Sequence, residues 1–145
     1  MIGNDQSRHV YGKKDEWETP QDLFDRLNAK YHFTLDAAAS NSNHKCPKYY
    51  TKDQDGLVQD WGNDTVYVNP PYGRVIADWV HKAYETHQQY GNTIVMLLPA
   101  RTDTCWFHDY IYGQADIKFI KGRLRFSGSK CNAPFPNMIV IFQGR

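Results

Sequence analysis

The segment Thr93-Ile94-Val95-Met96-Leu97-Leu98 has no polar position after its first residue. A strand of this kind has no face to offer water, so it belongs at the centre of a sheet covered on both sides, as in parallel α/β sheets. A shorter apolar strand, Thr65-Val66-Tyr67-Val68, precedes it. Between the two, the spacing of Ile76, Trp79, Val80 and Ala83 predicts a helix from Val75 to Gln89. Strands alternating with helices imply an α/β sheet with right-handed crossovers.

The remaining segments extend this frame. Thr19 is suited to an N-cap and Pro20 to the first helical position. Leu23, Phe24 and Leu27 then share one face of a helix running to Lys30. Phe33-Thr34-Leu35-Asp36 reads as a short strand ending on an acid, followed by the small residues Ala37-Ala38-Ala39-Ser40. Residues 41–62 are irregular, with Tyr49-Tyr50 as their anchor. Thr102-Asp103 can cap a helix through Trp106, Phe107, Tyr110 and Ile111. Ile117–Ile120, Leu124–Phe126 and Met138–Phe142 follow as strands without an intervening helix, which predicts an antiparallel hairpin. The expected fold is α/β and Rossmann-like, a reduced, mostly parallel sheet with a C-terminal antiparallel hairpin. Residues 1–14 lack apolar periodicity and are expected to form a flexible tail, leaving 15–145 as a single domain.

With 145 residues, 41% hydrophobic and 23% charged, the chain has the composition of a globular protein and the length of one domain. No apolar stretch is long enough to span a bilayer, and the polar start from Met1 to Glu16 does not read as a signal peptide. A cytoplasmic protein is therefore expected, with Cys46, Cys105 and Cys131 as free thiols. Cys105, among helical aromatic residues, is expected to be buried and inert. His44-Lys45-Cys46 lacks a second ligand pair, so no metal site is expected. His81, His87 and His108 fall on expected helices without a nucleophile nearby and read as surface or packing residues. The net charge of +1 requires any nucleic-acid face to be local. Lys121, Arg123, Arg125 and Lys130, with Lys118, form the one basic concentration.

Asn69-Pro70-Pro71-Tyr72 carries the sharpest chemical signal. Neither proline has an N–H, so the strand before them must stop and the neighbouring carbonyl groups are released from the ladder. In an α/β sheet, ligands bind at such carboxyl ends, near a reversal of strand order. The Asn69 side-chain oxygen and the Pro70 carbonyl supply two rigid acceptors for an amino group, and Tyr72 offers a flat face for a planar base.

This tetrapeptide resembles the catalytic motif of amino-methyltransferases that act on adenine in DNA. Trp17-x-Thr19-Pro20, Leu35-Asp36-Ala37-Ala38-Ala39-Ser40, Asp55-Gly56-Leu57, Asp60-Trp61 and Gly122-Arg123-Leu124-Arg125-Phe126 flank it. They stand in the order found in small phage-encoded DNA N6-adenine methyltransferases, over Glu16 to Phe142. The resemblance implies a methyltransferase of the Rossmann-like class that uses S-adenosyl-L-methionine as cofactor. It also implies double-stranded DNA as substrate and, for a phage-encoded enzyme, the cytoplasm of a bacterial host. A methyltransferase for RNA adenine or protein glutamine, or a catalytically inactive nucleic-acid-binding relative, are the alternatives. One departure stands out: Ala37-Ala38-Ala39-Ser40 occupies the place of a glycine-rich cofactor loop, and alanine does not favour positive φ.

The resemblance also implies roles. Asp36 is expected to pair with the cofactor's ammonium, with Trp17, Thr19, Pro20, Ala37, Ala38 and Ser40 lining that end. Asp55, or else Asp53, is expected to accept the ribose hydroxyls, Asp60 the adenine amino group, and Trp61 to pack on that ring. Asn69 and Pro70 would hold the N–H bonds of the target amino group as positive charge develops. Tyr72 would stabilise the flipped-out base, and Lys121, Arg123, Arg125 and Lys130 would meet DNA. This scheme needs no metal and no strong base.

Overall fold

A computed structural model of the chain describes residues 16–145. The tail expected over residues 1–14 lies outside them. Within the described residues, helix α1 spans Gln21–Tyr31 and helix α2 spans Ile76–Tyr90. Five strands, β1 (Leu35–Asp36), β2 (Val66–Val68), β3 (Ile94–Pro99), β4 (Asp116–Phe119) and β5 (Asn137–Phe142), form one sheet in the order β1-β2-β3-β5-β4. β1, β2 and β3 are mutually parallel, whereas β5 runs antiparallel to both β3 and β4. Four of the five strands therefore share one direction and only β5 is reversed, a mixed sheet that is parallel over its first three strands and antiparallel at its C-terminal end. The last strand of the chain is inserted between β3 and β4.

β3 is central, as its apolar run requires, and every side chain from Ile94 to Leu98 is buried. The helices cover opposite faces. Phe24 of α1 meets the Tyr67 ring edge-on at 5.2 Å, whereas Tyr84 and His87 of α2 lie against Phe142. Tyr67 is in register with Val95 and Ile141, while Phe142 is in register with Ile94, opposite Val66. Adjacent strand positions point to opposite faces, so these are two separate layers on one sheet.

Several local departures have identifiable causes. Thr19 does not cap α1, whose N-cap is Pro20 without a side-chain hydrogen bond. The chain forgoes an interaction worth about 1 kcal/mol, and the Thr19 hydroxyl goes elsewhere, as described below. The helix expected behind Thr102-Asp103 is a π-helical turn at Phe107–Ile111. It is introduced by Thr104, whose hydroxyl donates to the Arg101 carbonyl and accepts from the Phe107 N–H. Cys105, just before this turn, is exposed, not buried.

Leu124–Phe126 is not a strand. Gly122 and Gly128 turn the chain at φ 77° and 81°, and Ser127 pairs with Glu18 instead. The irregular segment after β1 is anchored as expected at Tyr49-Tyr50: the Tyr50 N–H donates to the Asp36 carbonyl, and the Ala39 N–H to that of Tyr50.

Candidate functional site

β1 and β2 end side by side, and a cavity of about 720 Å³ opens at their carboxyl ends. It lies beside neighbouring strands in register, not at a reversal of strand order. Ten of the expected residues line it: Trp17, Thr19, Asp36, Ala37, Ala38, Ser40, Asp55, Asn69, Pro70 and Pro71. Pro20, Asp53, Asp60, Trp61 and Tyr72 are not among the lining residues.

The floor is set by Asp36. Its side chain is 4% exposed, and its two oxygens accept the N–H groups of Lys45 at 2.9 Å and Ala38 at 3.4 Å. Burial pushes this carboxyl above its ordinary range, against the opposing pull of those N–H groups and of the Lys45 and His44 charges. The alanine loop takes its path without any positive φ: His32, Asp55 and Asn63 are the non-glycine residues with that geometry among those described. The loop is packed closely from the other side by Gly56. A Cβ there would lie 2.2 Å from the Ala37 carbonyl oxygen and 2.8 Å from the Trp79 ring. Asp55 beside it is held at φ 56° and accepts the Leu57 N–H, which sets it on the cavity wall.

Asn69 forms the opposite wall. Its Nδ2 donates to the Trp17 carbonyl and, at 3.1 Å, to the Thr19 hydroxyl. The Trp17 carbonyl can only accept, which assigns the nitrogen to that side of the amide. Asn69 Oδ1 is buried and has no hydrogen-bond partner among the described residues. A buried acceptor left without a donor costs about 1–3 kcal/mol, and here it stands beside a ligand-sized cavity.

The structure relocates three expected contacts. Tyr72 is 2% exposed; its hydroxyl donates to the Leu97 carbonyl at 3.0 Å, and its ring meets Phe126 and Phe135 edge-on. In this conformation it props the motif from inside the core and presents no face to a base. Trp61 is fully buried, donates its indole N–H to the Gly56 carbonyl at 2.9 Å and stacks on Trp79. Trp79, which the helical spacing marked only as a packing residue, reaches the cavity in its place. Asp60 is exposed, and its carboxylate accepts the Gly62 N–H in a turn. Lys45 and Lys52 also line the cavity, two cations that no motif singled out.

The basic group lies outside this wall. Lys121, Arg123, Arg125 and Lys130 are all exposed on the segment joining β4 to β5. Arg125 Nε donates to the Ser129 carbonyl at 3.1 Å, and Arg123 Nη1 lies 3.5 Å from the Ala133 carbonyl, so both guanidinium groups help hold the loop. The loop is tied in turn to the site: the Ser127 N–H donates to the Glu18 carbonyl and its hydroxyl to the Thr19 carbonyl. Among the described residues no three His, Cys, Asp or Glu side chains gather as a metal site would need, and no helix is long and apolar enough to cross a membrane.

The fold defines an α/β domain with a cavity at the carboxyl ends of parallel strands, and Asn69, whose buried Oδ1 has no partner among the described residues, stands in its lining. The chain belongs to the DNA N-6-adenine-methyltransferase (Dam) family, whose model matches residues 6–143. It is 39% identical over 113 residues to a DNA N-6-adenine-methyltransferase of Escherichia phage T1, a match covering 77% of this chain and 47% of that protein. It is 28% identical over 138 residues to one of Haemophilus phage HP1, covering 90% of this chain and 79% of that protein. The chain thus spans about half the length of the T1 relative.

Proposed function

We propose that this chain transfers a methyl group from S-adenosyl-L-methionine to the N6 amino group of adenine in double-stranded DNA. The observation that carries the reading is Asn69: an amide whose nitrogen is anchored to Trp17 and Thr19 and whose buried oxygen still lacks a donor. An amino group supplies that donor. Family membership and the names of the two phage relatives support adenine in DNA as the substrate.

The cavity residues suit the cofactor. Asp36, a carboxyl that burial has made costly to ionise, gains from a cationic ammonium beside it. Asp55, on the same wall, suits a ribose diol, and Asp53 does not line the cavity. When bound, S-adenosyl-L-methionine supplies an electrophilic methyl group on a sulfonium that leaves readily. Asn69 Oδ1 and the Pro70 carbonyl would hold the amino hydrogens and stabilise positive charge on the nitrogen as the new bond forms. Burial keeps the Tyr67 and Tyr72 phenols protonated, so neither acts as a base. Orientation of the reacting atoms supplies much of the remaining acceleration.

Asn69→Ala is expected to lower turnover by roughly two to three orders of magnitude. S-adenosyl-L-methionine affinity, read by calorimetry, should hardly change. Near-normal methylation by the variant, scored by methylation-sensitive digestion, would remove Asn69 from the chemistry.

A further inference from the structure

We propose that the Thr19 hydroxyl, partnered by the Tyr67 phenol, is a positioning group that locks the Asn69 carboxamide with its oxygen presented to the substrate amino group. The proposal rests on Asn69 being the amino acceptor.

A carboxamide is nearly symmetric in shape, and its terminal torsion is broad, so covalent geometry does not fix its plane. Turned over, the same side chain would offer N–H groups to an amino donor and catalyse nothing. The Trp17 carbonyl selects the nitrogen, but one hydrogen bond leaves the group free to swing about that contact. The second, to Thr19 Oγ1 at 3.1 Å, fixes the plane. Thr19 is itself fixed: its hydroxyl lies 2.6 Å from the Tyr67 hydroxyl, and the two residues are 3% and 1% exposed.

A buried hydroxyl with both neighbours in place has little capacity left to bind a cofactor. Thr19 has also been drawn away from the helix cap its position would otherwise suit. Tyr67 lies two residues before Asn69 in the chain and occupies β2, so the relay is built into the strand that delivers the acceptor.

The test uses the full chain in single-turnover methylation of a DNA duplex, with S-adenosyl-L-methionine affinity measured separately by calorimetry. Thr19→Val, which keeps the shape and loses the hydroxyl, should slow methyl transfer about ten-fold, the effect of one modest hydrogen bond. Cofactor affinity should stay within about two-fold. Thr19→Ser should restore most of the rate, and Tyr67→Phe should show a smaller loss of the same kind.

On an Asn69→Ala background Thr19→Val should cost nothing further, because residues acting through one group are not additive. An equal loss on both backgrounds, or a loss confined to cofactor affinity, would overturn the relay while leaving Asn69 in its role. An Asn69→Ala protein with an unimpaired rate would instead remove the acceptor and the relay together. Should Thr19→Val fail to fold, Tyr67→Phe carries the same two-background comparison.

Discussion

At the scale of single residues, Asp36 couples the cavity to pH. Its folded-state pKa is raised, chiefly by burial, so the folded chain holds the proton more tightly than the unfolded one. The stability this group contributes is complete below its unfolded value and is lost as pH rises through its folded value. The empty protein therefore loses stability across that window, while the ionised carboxylate becomes ready for an ammonium. S-adenosyl-L-methionine affinity is expected to climb with pH over the same window. In Asp36→Ala it should be weaker and flat, with circular dichroism unchanged. Equal calorimetric affinities for the two proteins would reduce Asp36 to a tie for the loop between Ala38 and Lys45. Asp36 and Asn69 were legible in the sequence because a polar residue behind an apolar strand marks the strand's carboxyl end, and two prolines fix where β2 stops. The orientations of the Tyr72 and Trp61 rings and of the Thr19 hydroxyl were not. Residue type says that an aromatic ring or hydroxyl is present, whereas packing decides which way it turns.

At the scale of elements, the loop joining β4 to β5 carries the exposed basic residues and is tied to the cavity wall through Ser127. Arg123 and Arg125 spend donors on the loop's own carbonyls, so Lys121 and Lys130 are the cleaner probes of DNA contact. Each phosphate contact adds about 0.9 to the slope of log affinity against log salt. Replacing both lysines with Ala should flatten that slope by up to about two units, without altering S-adenosyl-L-methionine affinity. If duplex binding keeps its salt dependence, the loop is an ordinary solvated surface and DNA lies elsewhere. The long elements were readable from periodicity: both helices and the central strand lie within a residue or two of their expected bounds. The C-terminal segment resisted because Gly122 and Gly128 break what reads locally as a third strand, and its partner, Glu18, lies at a distance no local pattern reports.

At the scale of the whole molecule, the acceptor is assembled from distant parts of the chain. The Ser127 hydroxyl reaches the Thr19 carbonyl across 108 positions, and Asn69 is held by Trp17 across 52. The sheet has the same character, because β5 fills the gap between β3 and β4. Until β5 arrives, β3 and β4 each offer an unpaired edge, and that of β3 belongs to a wholly apolar strand. A chain ending before Asn137 is expected to enter the insoluble fraction of an expressing cell to a much greater extent than the 145-residue chain. Soluble, folded material from the shortened chain would mean that β3 manages without its neighbour. For the gene, the consequence is that position along the reading frame offers no gradient of damage. A nonsense codon or frameshift just upstream of β5 is expected to be as damaging as one far earlier, because either leaves the apolar edge of β3 unpaired.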